Sequence, residues 1–183
     1  MNRLLLIVDP QIDFISGSLP VPDAAAKMDL LADYIKNNNG KYVLKLVTTD
    51  WHPYDHCSFK ENGGEWPKHC VHDSVGAAVY QALLDALYST EGDVEVLRKG
   101  TNKDTEEYSI FKNSQSAAII EELIKKHEIK QIDICGIAGD ICVLNTLKDG
   151  VVLYGKEMFN VLEDYSPSLD SGKALKQAIE QLN

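Results

Sequence analysis

A three-layer, doubly wound α/β domain with a mostly parallel sheet of about five to six strands is the fold the sequence predicts. Three observations predict it. Apolar, β-type runs alternate with helix-periodic segments five or six times along the 183 residues, the order that builds βαβ units. The first run, Leu4-Leu-Leu-Ile-Val8, is apolar without a break, as suits a strand covered on both faces. Finally, Asp9, Asp50, Lys99 and Cys142 each stand at or just beyond the end of such a run. In a parallel sheet those ends share one edge, where ligands collect.

The elements follow in order. Leu4–Val8 is the first strand and runs into Asp9-Pro-Gln-Ile-Asp13-Phe14. Gly17-Ser-Leu-Pro-Val-Pro reads as a loop. Asp23 is the expected cap of a helix through Met28, Leu30, Leu31, Tyr34 and Ile35, which Asn37-Asn-Asn-Gly40 stops. Tyr42 to Thr49 is the second strand. Asn62-Gly-Gly makes a turn, and Pro67 disfavours helix at Trp66–Val71, which reads as extended. Gly76 to Tyr88 is a helix with Val79, Leu83, Leu84 and Leu87 at core spacing. Asp93 to Lys99 alternates as a short strand, and Thr101–Ser109 is a polar connection. Ser114 opens a helix through Ile120 and Leu123 that ends near His127, where a positive charge suits the dipole. Gln131 to Ala138 is the fourth strand. Gly139-Asp-Ile-Cys142 then opens a helix through Leu144, Leu147, Val151 and Tyr154, ended by Gly155. A last strand, Glu157 to Leu162, and a helix from Ser168 to Leu182 close one domain spanning residues 1–183.

Composition narrows the function. Hydrophobic residues at 44% and charged residues at 25% are ordinary for a globular domain. A net charge of −10 repels phosphate backbones, so no nucleic-acid partner is expected. No apolar run is long enough for a membrane span. The apolar start ends at Asp9 without a cleavage site and reads as a strand, not a signal peptide. A cytoplasmic location is therefore expected. Cys57, Cys70, Cys135 and Cys142 form no CxxC pair and are expected as free thiols. A homo-oligomer is compatible with all of this.

Chemistry concentrates at two places. Thr49–His72 carries His52, His56, His69 and His72, four of the five histidines, beside Asp50. Asp50 and His52 offer an oxygen and an imidazole from one turn, and His69 and His56 are candidates to join them. Carboxylate plus imidazole suits a divalent ion such as zinc, manganese or iron. Cys142 falls in the first turn of a helix, where unpaired N–H groups and the dipole favour thiolate. Cys135, mid-strand, reads as an inert core residue. Asp9 has two readings: a turn cap, or a carboxyl whose pKa burial raises toward proton shuttling. Lys99 is either a member of the same edge or a solvated surface lysine. Tyr108 is a pocket wall or a loop anchor.

Five motifs carry a resemblance. Asp9-x-Gln11-x-Asp13-Phe14, Asp50-Trp-His52-Pro, Trp66-Pro-x-His69-Cys-Val, Arg98-Lys99-Gly100 and Gly136-Ile-Ala138-x-Asp140-x-Cys142-Val together resemble the nicotinamidases of the isochorismatase-like cysteine hydrolases. The resemblance covers nearly the whole chain. It implies a triad of Cys142, Asp9 and Lys99, and a metal held by Asp50, His52 and His69, with His56 as a further candidate ligand. It implies one divalent ion, zinc foremost, with iron or manganese as alternatives. It also implies a cis peptide at Ile137–Ala138, an oxyanion site at the N–H groups of Ala138 and Cys142, and aromatic walls from Phe14, Trp66 and Tyr108. The expected substrates are small aromatic amides, nicotinamide and pyrazinamide, with nicotinamide converted to nicotinate and ammonia through a cysteine thioester in NAD salvage. Gly139, Ile141 and His72 depart from the residues common in the family at those positions. The alternatives are a related amidohydrolase acting on a carbamoyl, ureido or other aromatic amide, or a silent metal- or ligand-binding protein.

Overall fold

In the computed structural model, which describes residues 2–182, five strands form the middle layer. They are β1 (Arg3–Val8), β2 (Leu44–Asp50), β3 (Asp93–Lys99), β4 (Gln131–Gly136) and β5 (Phe159–Val161). Their order across the sheet is β3-β2-β1-β4-β5, and every pairing is parallel. Six α-helices flank them: α1 (Ile12–Ile15), α2 (Ala24–Asn37), α3 (Gln81–Tyr88), α4 (Ser114–Lys126), α5 (Leu144–Tyr154) and α6 (Lys173–Leu182). Among the described residues, no helix is long and apolar enough to cross a membrane.

Alternation along β1 divides the core. Leu5 and Ile7 point to one face and pack with Met28, Leu31 and Ile35 of α2 and Leu83 and Leu87 of α3. Leu4, Leu6 and Val8 point to the other, against Ile120 and Leu123 of α4, Leu147 of α5 and Leu175 of α6. An unbroken apolar run is what a strand needs when both faces are covered. Fully burying each such side chain contributes about 1.5–3 kcal/mol.

Several boundaries differ from the sequence reading, each for a local reason. Asp23 does occupy the N-cap position of α2, but its backbone is left-handed and its side chain makes no capping bond. At the C-terminal helix the cap is Asp170, whose carboxylate accepts from the N–H groups of Gly172, Lys173 and Ala174. That helix therefore starts at Lys173 and not Ser168. Residues 76–88 divide into a 3₁₀ turn (Val75–Ala77) and α3, with Tyr80 N–H held by Pro10. Trp66–Val71 forms no strand, only single bridges from Trp66 to Phe59 and from Val71 to His52. The last strand shortens to Phe159–Val161 behind a 3₁₀ turn at Lys156–Met158. The segment from Gly139 to Val143 is wound as a π turn before α5 begins.

Lys45 and Asp133 are two of the buried charges that the strands carry. Lys45 of β2 donates all three protons to the end of α3 and just beyond, at Leu87 O (2.6 Å), Thr90 O (2.9 Å) and Thr90 Oγ1 (2.8 Å). Burial lowers its pKa. Asp133 of β4 is fully buried and meets Arg3 at 3.0 Å, Lys41 at 3.3 Å, the Tyr42 hydroxyl at 2.6 Å and Asn160 at 3.1 Å. Removing one partner of such a cluster leaves the others desolvated and unpaired. Asp133→Ala is therefore expected to lower the unfolding free energy by about 2–4 kcal/mol in urea titration. A change too small to resolve would mean the cluster adds nothing to the fold.

Candidate active site

The strand order has its switch at β1, which sits between β2 and β4. The crevice beyond the carboxyl ends of those strands is the expected ligand site in such a sheet. Asp9 leaves β1 there. Its backbone is left-handed, with φ of 47°, a conformation that costs a non-glycine residue about 1–3 kcal/mol. Its N–H is held by Thr48 O at 3.0 Å, and the Thr48 hydroxyl donates to Asp9 Oδ1 at 2.7 Å. Lys99 reaches the same point from β3. Neighbouring strands lie about 4.8 Å apart, so the reach from β3 to β1 needs a long side chain, and the whole stem of Lys99 is buried.

Lys99 Nζ sits 2.8 Å from Asp9 Oδ2, against Asp50 Oδ1, and 3.7 Å from the Cys142 sulfur. Asp9 Oδ2 has this charge contact yet receives no directed hydrogen bond, which leaves a lone pair open. The metal-capable oxygens of Asp9 and Asp50 and the Cys142 sulfur lie within 4.8 Å of one another. The structure thus brings together all three residues expected as a triad. Burial raises the pKa of Asp9, opposed by Lys99. Asp50 goes the other way: burial would raise it, but Lys99 and His52 hold its carboxyl well below the usual range. Lys99 is pushed up by the two carboxylates despite burial. Burial pushes the Cys142 thiol well up, with Asp9 and Asp50 adding to the rise and Lys99 opposing it.

Beside this cluster, Asp50, His52 and His69 offer ligand atoms within 4.8 Å of one another, all buried. His52 follows β2, and its N–H bonds Cys70 O at 3.0 Å while its carbonyl accepts from His72 N–H at 2.9 Å. That short ladder brings His69 back to His52. Each imidazole is oriented by its far nitrogen: His52 Nδ1 meets Gly100 O at 3.0 Å, and His69 Nδ1 meets Pro67 O at 2.8 Å. Donation from Nδ1–H presents Nε2 as the lone pair, the arrangement found behind metal-bound histidines. His52 Nε2 is buried without a hydrogen-bond partner and 3.6 Å from Asp50 Oδ2. Gly100 is required here, because its φ is +64° and a Cβ would overlap the His52 ring. Burial lowers the pKa of His69 and keeps it neutral, while for His52 the Asp50 carboxylate overcomes burial and raises it. An orphaned imidazole nitrogen, a second oriented imidazole and a carboxylate fit a borderline divalent cation.

His56, the further candidate, lies outside the groups of close donor atoms. It stacks on His52 with ring centroids 4.0 Å apart, but its Nδ1 meets the Ser58 hydroxyl at 2.7 Å and its Nε2 meets Thr105 O at 3.1 Å. Both nitrogens are engaged, so His56 stays outside the donor group. His72 pairs at the surface with Asp73.

A small cavity opens over Cys142, Asp50 and His69. Phe14, Trp66 and Tyr108 line it, with the Trp66 indole N–H donating to the Tyr108 hydroxyl at 3.0 Å. Tyr108 is thus a wall residue. Glu106 also lines the cavity, and burial raises its pKa, with Asp50 adding to the rise. Nothing in a polar connection at Thr101–Ser109 marked it, since only the fold turns that side chain inward. Ala138 lines the same cavity, and the Ile137–Ala138 peptide is cis.

The shared ammonium makes a test. In chelator-treated protein at pH 7.5, Lys99→Met is expected to lose about 3–5 kcal/mol of stability. The variant leaves two buried carboxylates facing each other, so their folded-state pKa values lie above the unfolded ones. Such groups favour the folded state when protonated, so the deficit should shrink as pH falls through those raised values. Urea titrations at pH 7.5 and 5.5 measure it. A deficit that is constant or grows toward acid would contradict the electrostatic account.

Comparison with known proteins agrees with this geometry. A family model described as the Isochorismatase domain matches residues 3–159. A nicotinamidase/pyrazinamidase of Mycobacterium tuberculosis is 32% identical over 154 residues, covering 81% of this chain and 78% of that protein. PnC1 from L. infantum, solved in complex with nicotinate, superposes with a TM-score of 0.81 at 31% identity, covering 99% of this chain and 88% of that one. The pyrazinamidase of Pyrococcus horikoshii, solved in complex with zinc, gives 0.78 at 29% identity over 100% and 94% of the two chains. A match that runs from the first strand into the last, over a sheet whose carboxyl edge gathers a thiol, a carboxyl and an ammonium, settles the kinship: the chain belongs to the isochorismatase family.

Proposed function

We propose that this chain is a nicotinamidase, hydrolysing nicotinamide to nicotinate and ammonia with Cys142 as nucleophile, Asp9 as proton shuttle and Lys99 as charge partner. One observation carries the assignment of roles: the sulfur and the Asp50–His52–His69 donor set adjoin one small cavity with aromatic walls. The relatives named as nicotinamidases in both comparisons support the substrate.

In this reaction Asp9 Oδ2 accepts the Cys142 proton, and the sulfur forms a bond to the carboxamide carbon as the carbonyl π pair moves to oxygen. Lys99, in contact with both groups, balances the charge throughout. The N–H groups of Ala138 and Cys142 are assigned to the oxyanion, a contribution of about 3–4 kcal/mol per donor in well-formed sites. The neighbouring N–H groups of Gly139, Ile141 and Val143 are already given to Pro167 O and Ala138 O, which supports that choice. Asp9 returns its proton as the C–N bond breaks and ammonia leaves. Water then attacks the thioester, giving its proton to Asp9, and Cys142 departs and is reprotonated. Asp50, His52 and His69 would hold one divalent ion, zinc in our reading, which would supply a Lewis acid for the ring nitrogen, directly or through a bound water. Phe14 and Trp66 restrict the ring from the sides, which converts binding into orientation.

Ammonia and nicotinate release from nicotinamide tests the assignment. Cys142→Ala is expected to reduce turnover to background while the protein keeps its divalent ion. Ammonia release by that variant at the native rate would remove Cys142 from the nucleophile's role.

A further inference from the structure

Two polar side chains of the segment after β1 are used by no step above, yet both are pointed at the donor set. Gln11 is fully buried. Its carbonyl oxygen accepts from the Asp50 N–H at 2.7 Å, and its amide nitrogen donates to Asp50 O at 2.8 Å and to Ala77 O at 2.9 Å. A side-chain amide here replaces a neighbouring strand, gripping Asp50 by both backbone groups just where β2 ends. Asp13 does the same for the second arm. Its Oδ2 accepts from the Cys70 N–H at 2.7 Å, and its Oδ1 from the Ser18 N–H at 3.0 Å. Cys70 follows His69 directly, is left-handed with φ of 45°, and passes its carbonyl to the His52 N–H. Gly17 and Gly76 close around the Asp13 carboxylate so tightly that a Cβ on either would overlap its oxygens.

We propose that Gln11 and Asp13 are positioning residues that set the metal-donor frame from α1 and its preceding turn. Neither touches the substrate. Gln11 fixes the backbone of Asp50, and Asp13 fixes the backbone between His69 and the His52 ladder. Because both stand within four residues of Asp9, one short segment carries the proton shuttle and fixes the two ligand arms. The ring-holding frame and the base are thereby held in register, which is the condition for a carboxamide to meet the thiol while its ring is fixed elsewhere. This inference rests on the reading of Asp50, His52 and His69 as metal ligands.

The test titrates chelator-stripped protein with Zn²⁺ and with Mn²⁺ in competition with a chromogenic chelator, alongside Tm and kcat/KM of the reloaded enzyme. Asp13→Asn removes one acceptor, and Gln11→Glu replaces the donating nitrogen with oxygen. Gly76→Ala dislodges the Asp13 carboxylate without altering a polar group. Each is expected to weaken metal binding about 10-fold or more, the usual loss when a partner behind a ligand is removed, with kcat/KM falling alongside. Asp133→Ala, in β4 and outside the donor set, should lower Tm and leave metal affinity unchanged. If a polar variant does not fold, Gly76→Ala carries the same comparison. Folded variants with wild-type affinity, or with losses no greater than Asp133→Ala at equal Tm, would overturn the positioning role. A wild-type protein that binds neither ion would instead bring down the donor-set reading, and this inference with it.

Discussion

One ammonium shared by two buried carboxylates governs the carboxyl edge of this sheet. Lys99 touches both Asp9 and Asp50. A lysine buried alone would shed its proton, because the desolvation penalty is several kcal/mol per ion. Two carboxylates reverse that outcome and hold it charged. Asp50 has a second duty. One of its oxygens faces the ammonium, and the other lies 3.6 Å from the His52 ring nitrogen. It therefore belongs to both groups of close donor atoms, one with Asp9 and Cys142 and one with the two histidines. The proposed base, nucleophile and ligand set form one electrostatic unit through it, so a change at any member alters the charge felt by the rest.

Strand order explains why these residues supply the unit. With β1 central, Asp9 and the segment holding Cys142 leave adjacent strands and meet at short range. β3 is two strands from β1, and only a long side chain spans that distance. Arginine has the length, but its planar, forked head suits bidentate pairing with one carboxylate, whereas a compact ammonium can contact three groups from one point. The polar cluster around Asp133 has the same logic in the other half of the sheet, where Arg3, Lys41 and Tyr42 surround one buried carboxylate from strand ends and loops. A sheet covered on both faces by apolar helices admits charge only where several partners satisfy it at once.

The fold was legible because its signals are local and repeated. The unbroken run Leu4–Val8 and the helical spacing of Met28, Leu31 and Ile35 each state which faces are covered, and both were read correctly. Four residues at strand exits were legible as a group for the same reason. What could not be read depends on contacts between distant segments. His56 looks like a ligand in sequence, but Ser58 and Thr105 engage its nitrogens. Gln11 sits in an evident motif, yet its partners are backbone atoms of residue 50 and residue 77, which no side-chain pattern reports. Glu106 belongs to a connection with no periodicity, and Asp170 outcompetes Ser168 as a cap through three N–H bonds.

The thiol of Cys142 depends on its surroundings in the same way. A helix start favours thiolate when that effect acts alone, but this sulfur is enclosed with two carboxyl groups and its pKa goes up. A raised thiol pKa looks unfavourable for attack only if the proton must go to water. In the proposed reaction it goes to Asp9, whose pKa burial raises as well. Transfer from sulfur to carboxylate then moves one negative charge between two groups that both touch the same ammonium, at 3.7 Å and 2.8 Å. Net charge in the enclosure stays constant, so the desolvation that shifts both groups upward largely cancels in their difference. That difference, not either pKa singly, sets the cost of generating the nucleophile, and a less acidic sulfur is the stronger nucleophile once formed. Burial thus serves the chemistry through the pair, which is why the lysine must contact both of its members.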